Sequence, residues 1–327
     1  MRLLNRFKSC FSYIRGSEHS GDIYRMVVEI TNVCNLRCSM CPRNTMTRQA
    51  QHMDVGLFEE FLSKNHRSLE FVGLNGYGEP LLHPRLFDIL SLCRRYKVTS
   101  GISTNCTMLK GDIAERLIEE GPDHLILAVD SVQKESYEKV RIGASFESVM
   151  DNVKGFLRLN ALKRGRPFVV LQCIYMTETK GQVHDFIANF SEYKYDALRI
   201  RQLTYSGNKR ADSDYKNRHA PCYWLWAEPM LLSNGQLTVC CQDVNGELVI
   251  GNVGDNSLSE LWDLQKIRML RRAHSEGKRG TIKICRDCNM YQPPILFALG
   301  AAMFDTLTLN KLLPKVETLL SKKRYKI

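Results

Sequence analysis

Strand-like and helix-like segments alternate along much of this 327-residue chain, and this alternation limits its possible folds more than any other feature. Apolar runs such as "MVVEI" (26–30) and "HLILAVD" (124–130) are separated by segments with apolar residues at helical spacing. The pattern predicts six strands, at 26–30, 69–75, 98–104, 124–130, 168–176 and 197–203, and helices that include 55–66, 85–96, 109–121 and 146–164. Repeated strand–helix units favour a parallel sheet with right-handed crossovers. Six units predict an α/β fold with a partial (β/α)6 barrel, whose functional groups lie at the carboxyl ends of the strands.

Composition divides the chain into five regions. Residues 204–221 are polar and charged, which predicts a linker. Residues 222–290 are rich in Gly, Asn and Cys with only short predicted elements, which indicates a second, smaller domain. We therefore expect a basic extension at 1–25, the barrel at 26–203, the linker, the cysteine-rich domain, and an apolar, then basic tail at 291–327.

Positive charge is concentrated at the two ends of the chain. The formal net charge is +11, of which residues 1–48 carry +5 and residues 264–327 carry +10, whereas residues 49–263 carry −4. A basic balance would favour nucleic acids or anionic surfaces, but the central region is slightly acidic. Basic and aromatic residues are not interleaved as in nucleic-acid-binding surfaces, so we expect no nucleic-acid partner.

Both ends mix apolar and basic residues at roughly helical spacing, over 2–15 and 307–326. One interpretation is an interfacial anchor, which would give peripheral contact with an anionic membrane. The other is a helix that caps the core and continues into a solvated, charged tail. Pro314 would interrupt a continuous helix, and this favours the second interpretation.

Cysteine usage points to a reducing compartment. Arg2, Arg6, Lys8 and Arg15 interrupt the apolar residues of the N-terminus, so no signal peptide is predicted. No stretch reaches about 18 uninterrupted apolar residues, which argues against a membrane span. The twelve cysteines of such a chain are expected in the cytoplasm, where clustered thiols usually bind metal or take part in catalysis.

Three of these cysteines follow the first predicted strand with the spacing C-x3-C-x2-C. They are Cys34, Cys38 and Cys41 in "CNLRCSMC". A structural zinc site needs four ligands, and the next cysteine, Cys93, lies far away in a helix-like segment. Three thiolates suit three irons of a 4Fe–4S cluster and leave the fourth iron open to a substrate or cofactor.

This loop resembles the C-x3-C-x-Φ-C motif of the radical S-adenosylmethionine (SAM) enzymes. In that family the open iron binds the amino and carboxylate groups of SAM, and an electron from the cluster releases a 5′-deoxyadenosyl radical. The resemblance implies a SAM-cleaving 4Fe–4S cluster on Cys34, Cys38 and Cys41, and a flavodoxin- or ferredoxin-type electron donor. Met40 replaces the usual aromatic residue Φ, and its polarisable side chain can flank an adenine.

Further motifs of the same family follow in order at the ends of later strands. "NGYGEP" (75–80) resembles the GGEP motif that holds the SAM amino group, with Gly76 and Gly78 allowing close approach and Glu79 accepting an N–H bond. "STNC" (103–106) resembles a turn near the ribose and contributes Ser103 and Asn105, with Cys106 where glycine is usual. "AVDS" (128–131) ends the fourth strand, and Arg141 beyond it resembles an arginine that pairs with the SAM carboxylate.

A second group of cysteines lies in the smaller domain. Cys222, Cys240, Cys285 and Cys288 form two pairs, with Gly235 five residues before Cys240. Spacing alone allows zinc or a 4Fe–4S cluster. Beside a radical SAM core the pattern resembles a SPASM/twitch extension. Only five cysteines follow the core, so one auxiliary cluster is expected and two 4Fe–4S clusters in all.

Cys241 and Asp243 are the candidate catalytic residues next to this group. Cys241 either packs inward or donates a hydrogen atom to a substrate radical, as in radical epimerases. Without a donor, the substrate radical would pass an electron to the auxiliary cluster and Asp243 would take the proton, unless Asp243 is a surface turn residue.

The predicted activity is epimerisation or dehydrogenation of a polar small molecule, most simply a sugar or sugar conjugate. A radical SAM enzyme that modifies a peptide or protein is the alternative, although the 33 residues before Cys34 are too few for a fused leader-peptide-binding domain. A non-catalytic metal-binding interaction protein is a third possibility.

Overall fold

A nine-stranded sheet organises the chain. The computed structural model describes residues 2–163, 167–204, 221–286, 288 and 295–325, so most of the predicted linker lies outside the described residues. The six predicted strands are present as β1 (Arg25–Val28), β2 (Phe71–Gly73), β3 (Thr99–Thr104), β4 (His124–Ala128), β5 (Phe168–Tyr175) and β6 (Ala197–Gln202). They pair in parallel in the order β6-β5-β4-β3-β2-β1. The predicted parallel α/β sheet of a partial barrel is confirmed.

Helices connect these strands, including the four predicted at 55–66, 85–96, 109–121 and 146–164. They are α2 (Val55–Asn65), α3 (Leu86–Arg95), α4 (Gly111–Glu120), α5 (Lys134–Val140), α6 (Phe146–Lys163) and α7 (Val183–Asn189), and α1 (Arg2–Ile14) precedes β1. The side chain of Asp54 caps α2 by accepting a hydrogen bond from the Leu57 amide. Strand residues such as Val72 and Val169 are fully buried together with helix residues such as Phe58, as expected for a parallel sheet covered by helices.

The cysteine-rich domain extends the same sheet. Its strands are β7 (Met230–Leu231), β8 (Gln236–Thr238) and β9 (Val249–Asn252), and its helices are α8 (Trp224–Ala227), α9 (Leu258–Leu261), α10 (Gln265–Ser275) and α11 (Lys283–Arg286). β7 pairs in parallel with β1, and the two following pairs are antiparallel. The second domain therefore continues the sheet beyond β1.

Two C-terminal helices complete the described structure. They are α12 (Ile295–Met303), which packs against α1, and α13 (Thr306–Tyr325), which packs against β6. Both ends of the chain thus contact the barrel as helices. Among the described residues, no helix is long and apolar enough to cross a membrane.

Candidate active site

The three-cysteine loop leaves the carboxyl end of β1 and is held against the last residue of α5 and the segment that follows it. The Arg37 amide donates to the Ile142 carbonyl at 2.9 Å, and the Ser39 amide donates to the Val140 carbonyl at 2.8 Å. Within the loop, the Cys41 amide donates to the Cys38 carbonyl at 3.0 Å. The backbone around Cys38 is therefore fixed by hydrogen bonds on both sides of that residue.

Two nitrogen donors lie beside the thiols of this loop. Arg141 Nη1 is 3.7 Å from Cys38 Sγ, and Asn105 Nδ2 is 3.9 Å from Cys34 Sγ. Burial raises the pKa of Cys34 and of Cys41, and the charges of Arg43 and Arg141 partly oppose the effect. Thiolate ligands of a cluster would be stabilised by these donors, because N–H groups directed at the sulfurs lower their negative charge density.

Arg141 is also held by a carboxylate at the end of β4. Its Nη2 and Nε lie 2.6 Å and 2.8 Å from Asp130 Oδ2, and both residues are buried. Asp130 has a φ of +69°, so the backbone turns sharply where its side chain enters the site. The predicted contact of Arg141 with a SAM carboxylate stays a prediction, and the structure adds its contact with Cys38.

The 75–80 motif runs close against the start of the cysteine loop. A Cβ on Gly78 would lie 2.4 Å from the Thr31 carbonyl oxygen and 2.7 Å from that of Val33, and one on Gly76 would lie 2.6 Å from Glu29 Cγ. The Glu79 amide donates to the Val33 carbonyl at 2.9 Å. Glycine is therefore required at both positions for the two loops to approach this closely.

Glu79 connects this motif to the turn after β3. Its buried carboxylate accepts hydrogen bonds from Thr104 Oγ1 and the Asn105 amide, both at 2.7 Å, and from the Leu81 amide at 3.1 Å. Burial raises the pKa of Glu79, and these hydrogen bonds oppose the shift. The Ser103 amide donates to Asn75 Oδ1 at 2.6 Å. The predicted contacts of Glu79, Ser103 and Asn105 with SAM stay predictions.

Met40 and Cys106 are the two positions at which this chain departs from the usual residue of its motif. Met40 packs against an apolar cluster of Val140, Met176 and Leu203, of which the last two follow β5 and β6. Cys106 has a φ of +65°, a conformation in which glycine is unstrained, which explains why glycine is usual there.

The second group of thiols surrounds the loop after β8. Burial raises the pKa of Cys240, and the neighbouring sulfurs of Cys241, Cys222 and Cys288 raise it further. Burial raises the pKa of Cys285 to about 12, with added effects from Cys222 and Cys288. The four predicted ligands are thus close enough to interact electrostatically.

Both cysteine groups consist of thiols alone, which is the donor set of iron–sulfur clusters. Within the described residues, no three His, Cys, Asp or Glu side chains are grouped so as to share one metal ion. In a 4Fe–4S cluster each thiolate binds a separate iron. By the chemistry of their donors, the two groups fit such clusters.

Family comparisons decide the identity of this arrangement. A profile of the radical SAM superfamily matches residues 28–188, and a profile of the SPASM iron–sulfur cluster-binding domain matches residues 222–289. The chain belongs to the radical SAM superfamily of enzymes. The resemblance drawn from the cysteine motifs is confirmed, as is a SPASM domain after the barrel.

Similar proteins match this radical SAM chain over different lengths. The tungsten-containing aldehyde ferredoxin oxidoreductase cofactor-modifying protein of Pyrococcus furiosus is 34 % identical over 107 residues, which are 32 % of this chain and 30 % of that protein. The S-adenosyl-L-methionine-dependent 2-deoxy-scyllo-inosamine dehydrogenase of Niallia circulans is 24 % identical over 268 residues, 80 % of this chain and 91 % of that protein. The chain thus spans less than a third of the first relative's length.

A solved structure supports the fold of this radical SAM chain. The crystal structure of BtrN in complex with AdoMet and 2-DOIA superposes with a TM-score of 0.56 and 21 % identity. The match covers 82 % of this chain and 93 % of that one. The barrel and the cysteine-rich domain therefore follow a known radical SAM architecture.

Cys241 of this radical SAM chain lies where the barrel and the SPASM domain meet. Its carbonyl accepts a hydrogen bond from the Tyr77 hydroxyl at 2.7 Å, so the SAM-motif loop contacts the auxiliary loop directly. Burial raises the pKa of Cys241 to about 12, with smaller effects from Glu228, Cys222 and Cys288. Cys240 and Cys241 both interact electrostatically with Cys222 and Cys288. The assignment of Cys240 as the ligand therefore stays a prediction.

Asp243 is buried rather than at the surface. Its carboxylate accepts hydrogen bonds from Thr238 Oγ1 at 2.6 Å and from the Glu247 and Leu248 amides, both at 2.8 Å. The alternative that Asp243 is a surface turn residue was wrong about exposure, because the carboxylate is enclosed by the turn that it stabilises. Its role as a proton acceptor stays a prediction.

Two residues that position groups in the cysteine sites were not predicted from the sequence. Asp130 holds Arg141, and the buried Arg279 donates through Nη2 to the Cys288 carbonyl at 2.8 Å and to the Cys285 carbonyl at 3.4 Å. A lone acid at the end of a strand was the available signal for Asp130. Arg279 lies in a strongly basic segment, where nothing in the sequence separates it from its neighbours.

Proposed function

We propose that this radical SAM enzyme oxidises or epimerises a polar small molecule of the sugar or aminocyclitol class. Cys34, Cys38 and Cys41 would hold the SAM-cleaving 4Fe–4S cluster, and Cys222, Cys240, Cys285 and Cys288 the auxiliary one. When bound, the first cluster and SAM supply a 5′-deoxyadenosyl radical that removes a hydrogen atom from carbon. The observation that carries the proposal is the fixed cysteine loop, with Arg141 and Asn105 donating toward two of its sulfurs.

The residues around the loop would bind and orient SAM. Gly76 and Gly78 bring the motif backbone against the cysteine loop, so its polar groups are available to a ligand on the open iron. Arg141 supplies a buried positive charge beside Cys38, and Asp130 fixes the direction of that charge. Met40 would cover the adenine with a polarisable apolar side chain.

One observation supports the substrate class and another supports the type of reaction. The dehydrogenase from Niallia circulans acts on 2-deoxy-scyllo-inosamine, according to its name, and this chain spans 91 % of it. The loop that carries Cys240 and Cys241 contacts the SAM motif through the hydrogen bond from the Tyr77 hydroxyl to the Cys241 carbonyl, so an electron acceptor on the auxiliary thiols would lie near the substrate. Dehydrogenation of an alcohol would then leave one electron on the auxiliary cluster and one proton on a base such as Asp243.

Epimerisation would use the same first step and a different second one. The thiol of Cys241 would return a hydrogen atom to the opposite face of the substrate radical. Burial raises the pKa of Cys241 to about 12, so the sulfur carries its hydrogen at neutral pH. The resulting sulfur radical would need one electron and one proton to restore the thiol, and the reductant of the clusters would supply that electron.

An acidic electron-transfer protein, of the flavodoxin or ferredoxin type, is the proposed reductant in a reducing cytoplasm. An open cleft of about 530 Å³ beside the cysteine loop is lined by Arg37, Arg43, Asn44 and Ile142. Two arginines there favour a partner of negative charge, because complementary charge speeds and orients association.

The first experiment measures SAM cleavage. The purified chain is reconstituted anaerobically with iron and sulfide, mixed with SAM and dithionite, and 5′-deoxyadenosine is quantified by chromatography. Product from the wild-type protein and none from Cys38→Ala would support the proposal. Zinc in place of iron, with no 5′-deoxyadenosine, would leave a non-catalytic metal-binding protein instead.

A second experiment separates the two outcomes and assigns the adjacent thiols. Turnover is tested with 2-deoxy-scyllo-inosamine in deuterated water, for wild type, Cys240→Ala and Cys241→Ala. Epimerisation by Cys241 would place one deuterium in the product and would stop in Cys241→Ala with the iron content unchanged. Dehydrogenation would give a ketone, whose oxidised carbon carries neither hydrogen nor deuterium, and would continue in that variant. Cys240→Ala should lose about half the iron in either case.

A further inference from the structure

Helix α1 turns its apolar side outward. Leu4 is 56 % exposed, Phe7 48 %, Phe11 53 % and Ile14 43 %, whereas Asn5 and other small or polar side chains face the protein. A helix on the surface of a soluble domain normally directs its apolar stripe at the core. The large apolar side chains of α1 are therefore presented to something other than the barrel.

Buried polar contacts fix α1 in this orientation. Arg2 Nη2 donates to the His66 carbonyl at 2.7 Å, and Arg6 Nε lies 3.1 Å from Glu70 Oε1 with both side chains nearly buried. At the other end of the helix, Tyr13 packs edge-on against Tyr223, with ring centroids 5.1 Å apart. Rolling the helix to bury its apolar side would break these contacts and leave Glu70 without its cation.

Helix α12 repeats the arrangement beside α1. Its alanines Ala298, Ala301 and Ala302 are buried, whereas Leu299 is 42 % and Met303 66 % exposed. Because α1 and α12 pack against each other, their exposed apolar side chains form one surface, which we call the outer apolar face. Among the described residues, nine of the fifteen exposed large apolar side chains belong to α1, α12 or the following Phe304.

The exposed charges of α1 and of the turn that follows it are positive, whereas the exposed Asp305, next to Phe304, is an acid at the other edge of the outer apolar face. Lys8 is exposed on α1 and Arg15 directly after it, and the Arg15 guanidinium lies 4.0 Å from the centroid of the Phe11 ring. Neither α1 nor α12 contains Asp or Glu. Protein interfaces are depleted in lysine, whereas exposed Phe and Leu beside Lys and Arg are typical of helices that lie on anionic lipid.

We propose that the outer apolar face docks this enzyme on the surface of an anionic phospholipid membrane. Phe7, Phe11, Leu299 and Met303 enter the boundary between headgroups and acyl chains, while Lys8 and Arg15 contact the phosphates. Nine residues make α12 about 13 Å long, too short to span a bilayer, so it lies along the surface. The proposal does not depend on the substrate of the enzyme.

Vesicle flotation with the reconstituted, anaerobic enzyme tests this. The vesicles consist of phosphatidylcholine alone or of equal parts phosphatidylcholine and phosphatidylglycerol. The wild-type protein should float with the second kind, and Phe7→Ser/Phe11→Ser should bind at least about tenfold more weakly, because two exposed aromatic anchors are lost. Lys8→Glu/Arg15→Glu should also lose binding to the anionic vesicles.

A matched control makes the same kind of change elsewhere. Leu162 on α6 is 81 % exposed and Met269 on α10 is 61 % exposed, so Leu162→Ser/Met269→Ser should float like the wild type. Light scattering after gel filtration is measured for every variant. The proposal is overturned if the wild type does not float. It is also overturned if the wild type is a dimer that binds no vesicles and Phe7→Ser/Phe11→Ser is a monomer, because the face would then bind a second copy of the chain. Equal loss in the control also overturns it.

Discussion

Gly78 determines how closely the SAM motif can approach the cysteine loop. A Cβ there would meet the Thr31 carbonyl oxygen at 2.4 Å, and neither backbone can move away without breaking the Glu79–Val33 hydrogen bond. We predict that Gly78→Ala costs about 1–3 kcal/mol of unfolding free energy, as overpacking usually does. It should also lower 5′-deoxyadenosine formation more than it lowers the iron content, because the cysteines remain while the SAM motif is displaced. Anaerobic thermal unfolding and the cleavage assay measure both effects.

Gly155 provides the matched control. It lies inside α6, and a Cβ there would meet nothing within 4 Å. Gly155→Ala should therefore stabilise the chain by about 0.5–1 kcal/mol through helix propensity, with unchanged SAM cleavage. Equal behaviour of the two variants would show that the close approach at Gly78 has no role.

Residues with a characteristic local spacing could be predicted from the sequence, and residues defined by distant contacts could not. Cys34, Cys38 and Cys41 are recognisable because one loop carries all three. Asp130 and the Tyr77–Cys241 contact depend on segments 11 and 164 residues apart, which only the folded chain brings together. A surface position for Asp243 stayed open as an alternative, because a turn sequence does not reveal that its carboxylate is enclosed.

Among the helices, α13 contacts β4 and β6, and its contact with β4 involves a histidine whose charge depends on pH. His124 at the start of β4 contacts the Asn310 carbonyl through Nε2 at 3.2 Å, and Arg199 on β6 pairs with Glu317 at 3.0 Å. Burial lowers the pKa of His124 to about 4 from an ordinary 6.5, and the nearby charges of Arg199 and Lys311 contribute. The folded chain therefore keeps this imidazole neutral where the unfolded chain protonates it.

Stability should consequently fall as the pH decreases from about 6.5 toward 4. In that interval the unfolded state binds more protons than the folded state, so protonation favours unfolding by about 1.4 kcal/mol per pH unit from this histidine. Above pH 6.5 the contribution is constant. His124→Gln keeps a side-chain donor without a titrating group and should flatten the decline between pH 7.5 and 5, measured by anaerobic chemical unfolding. Identical slopes in the two proteins would contradict the assignment.

Elements with strong local periodicity were predicted well, and those that depend on tertiary pairing were not. The six barrel strands lie at the predicted positions, with ends shifted by a few residues. β7 has only two residues and forms by pairing with β1, so its own sequence carries no strand signal. The helical spacing of residues 2–15 was evident, but its apolar side faces outward because Arg2 and Arg6 make their contacts inside.

In the whole molecule, β1 joins the barrel to the SPASM domain. The Val27 and Glu29 amides donate to the Pro229 and Leu231 carbonyls at 3.0 and 2.8 Å. Arg48 Nε, from the loop after the cysteines, donates to the Val244 carbonyl at 2.8 Å. These hydrogen bonds join the two domains that carry the cysteine groups, and disruption of this joint should affect both groups.

Glu29 is the centre of this joint. It is fully buried, and its carboxylate accepts two hydrogen bonds from Arg48, both at 2.7 Å, and two from Ser233 of the SPASM domain, at 3.0 and 3.2 Å.

Glu29→Gln leaves the Arg48 guanidinium without its charge partner, which should cost about 3–5 kcal/mol of unfolding free energy. Because β1 pairs with strands of both domains, iron should be lost from both cysteine groups at one lowered transition temperature, followed anaerobically by absorbance and circular dichroism. Glu60→Gln, which breaks an exposed pair with Lys64, should change stability by less than about 0.5 kcal/mol. Two separate transitions in Glu29→Gln, with the barrel unchanged, would show that the domains unfold independently.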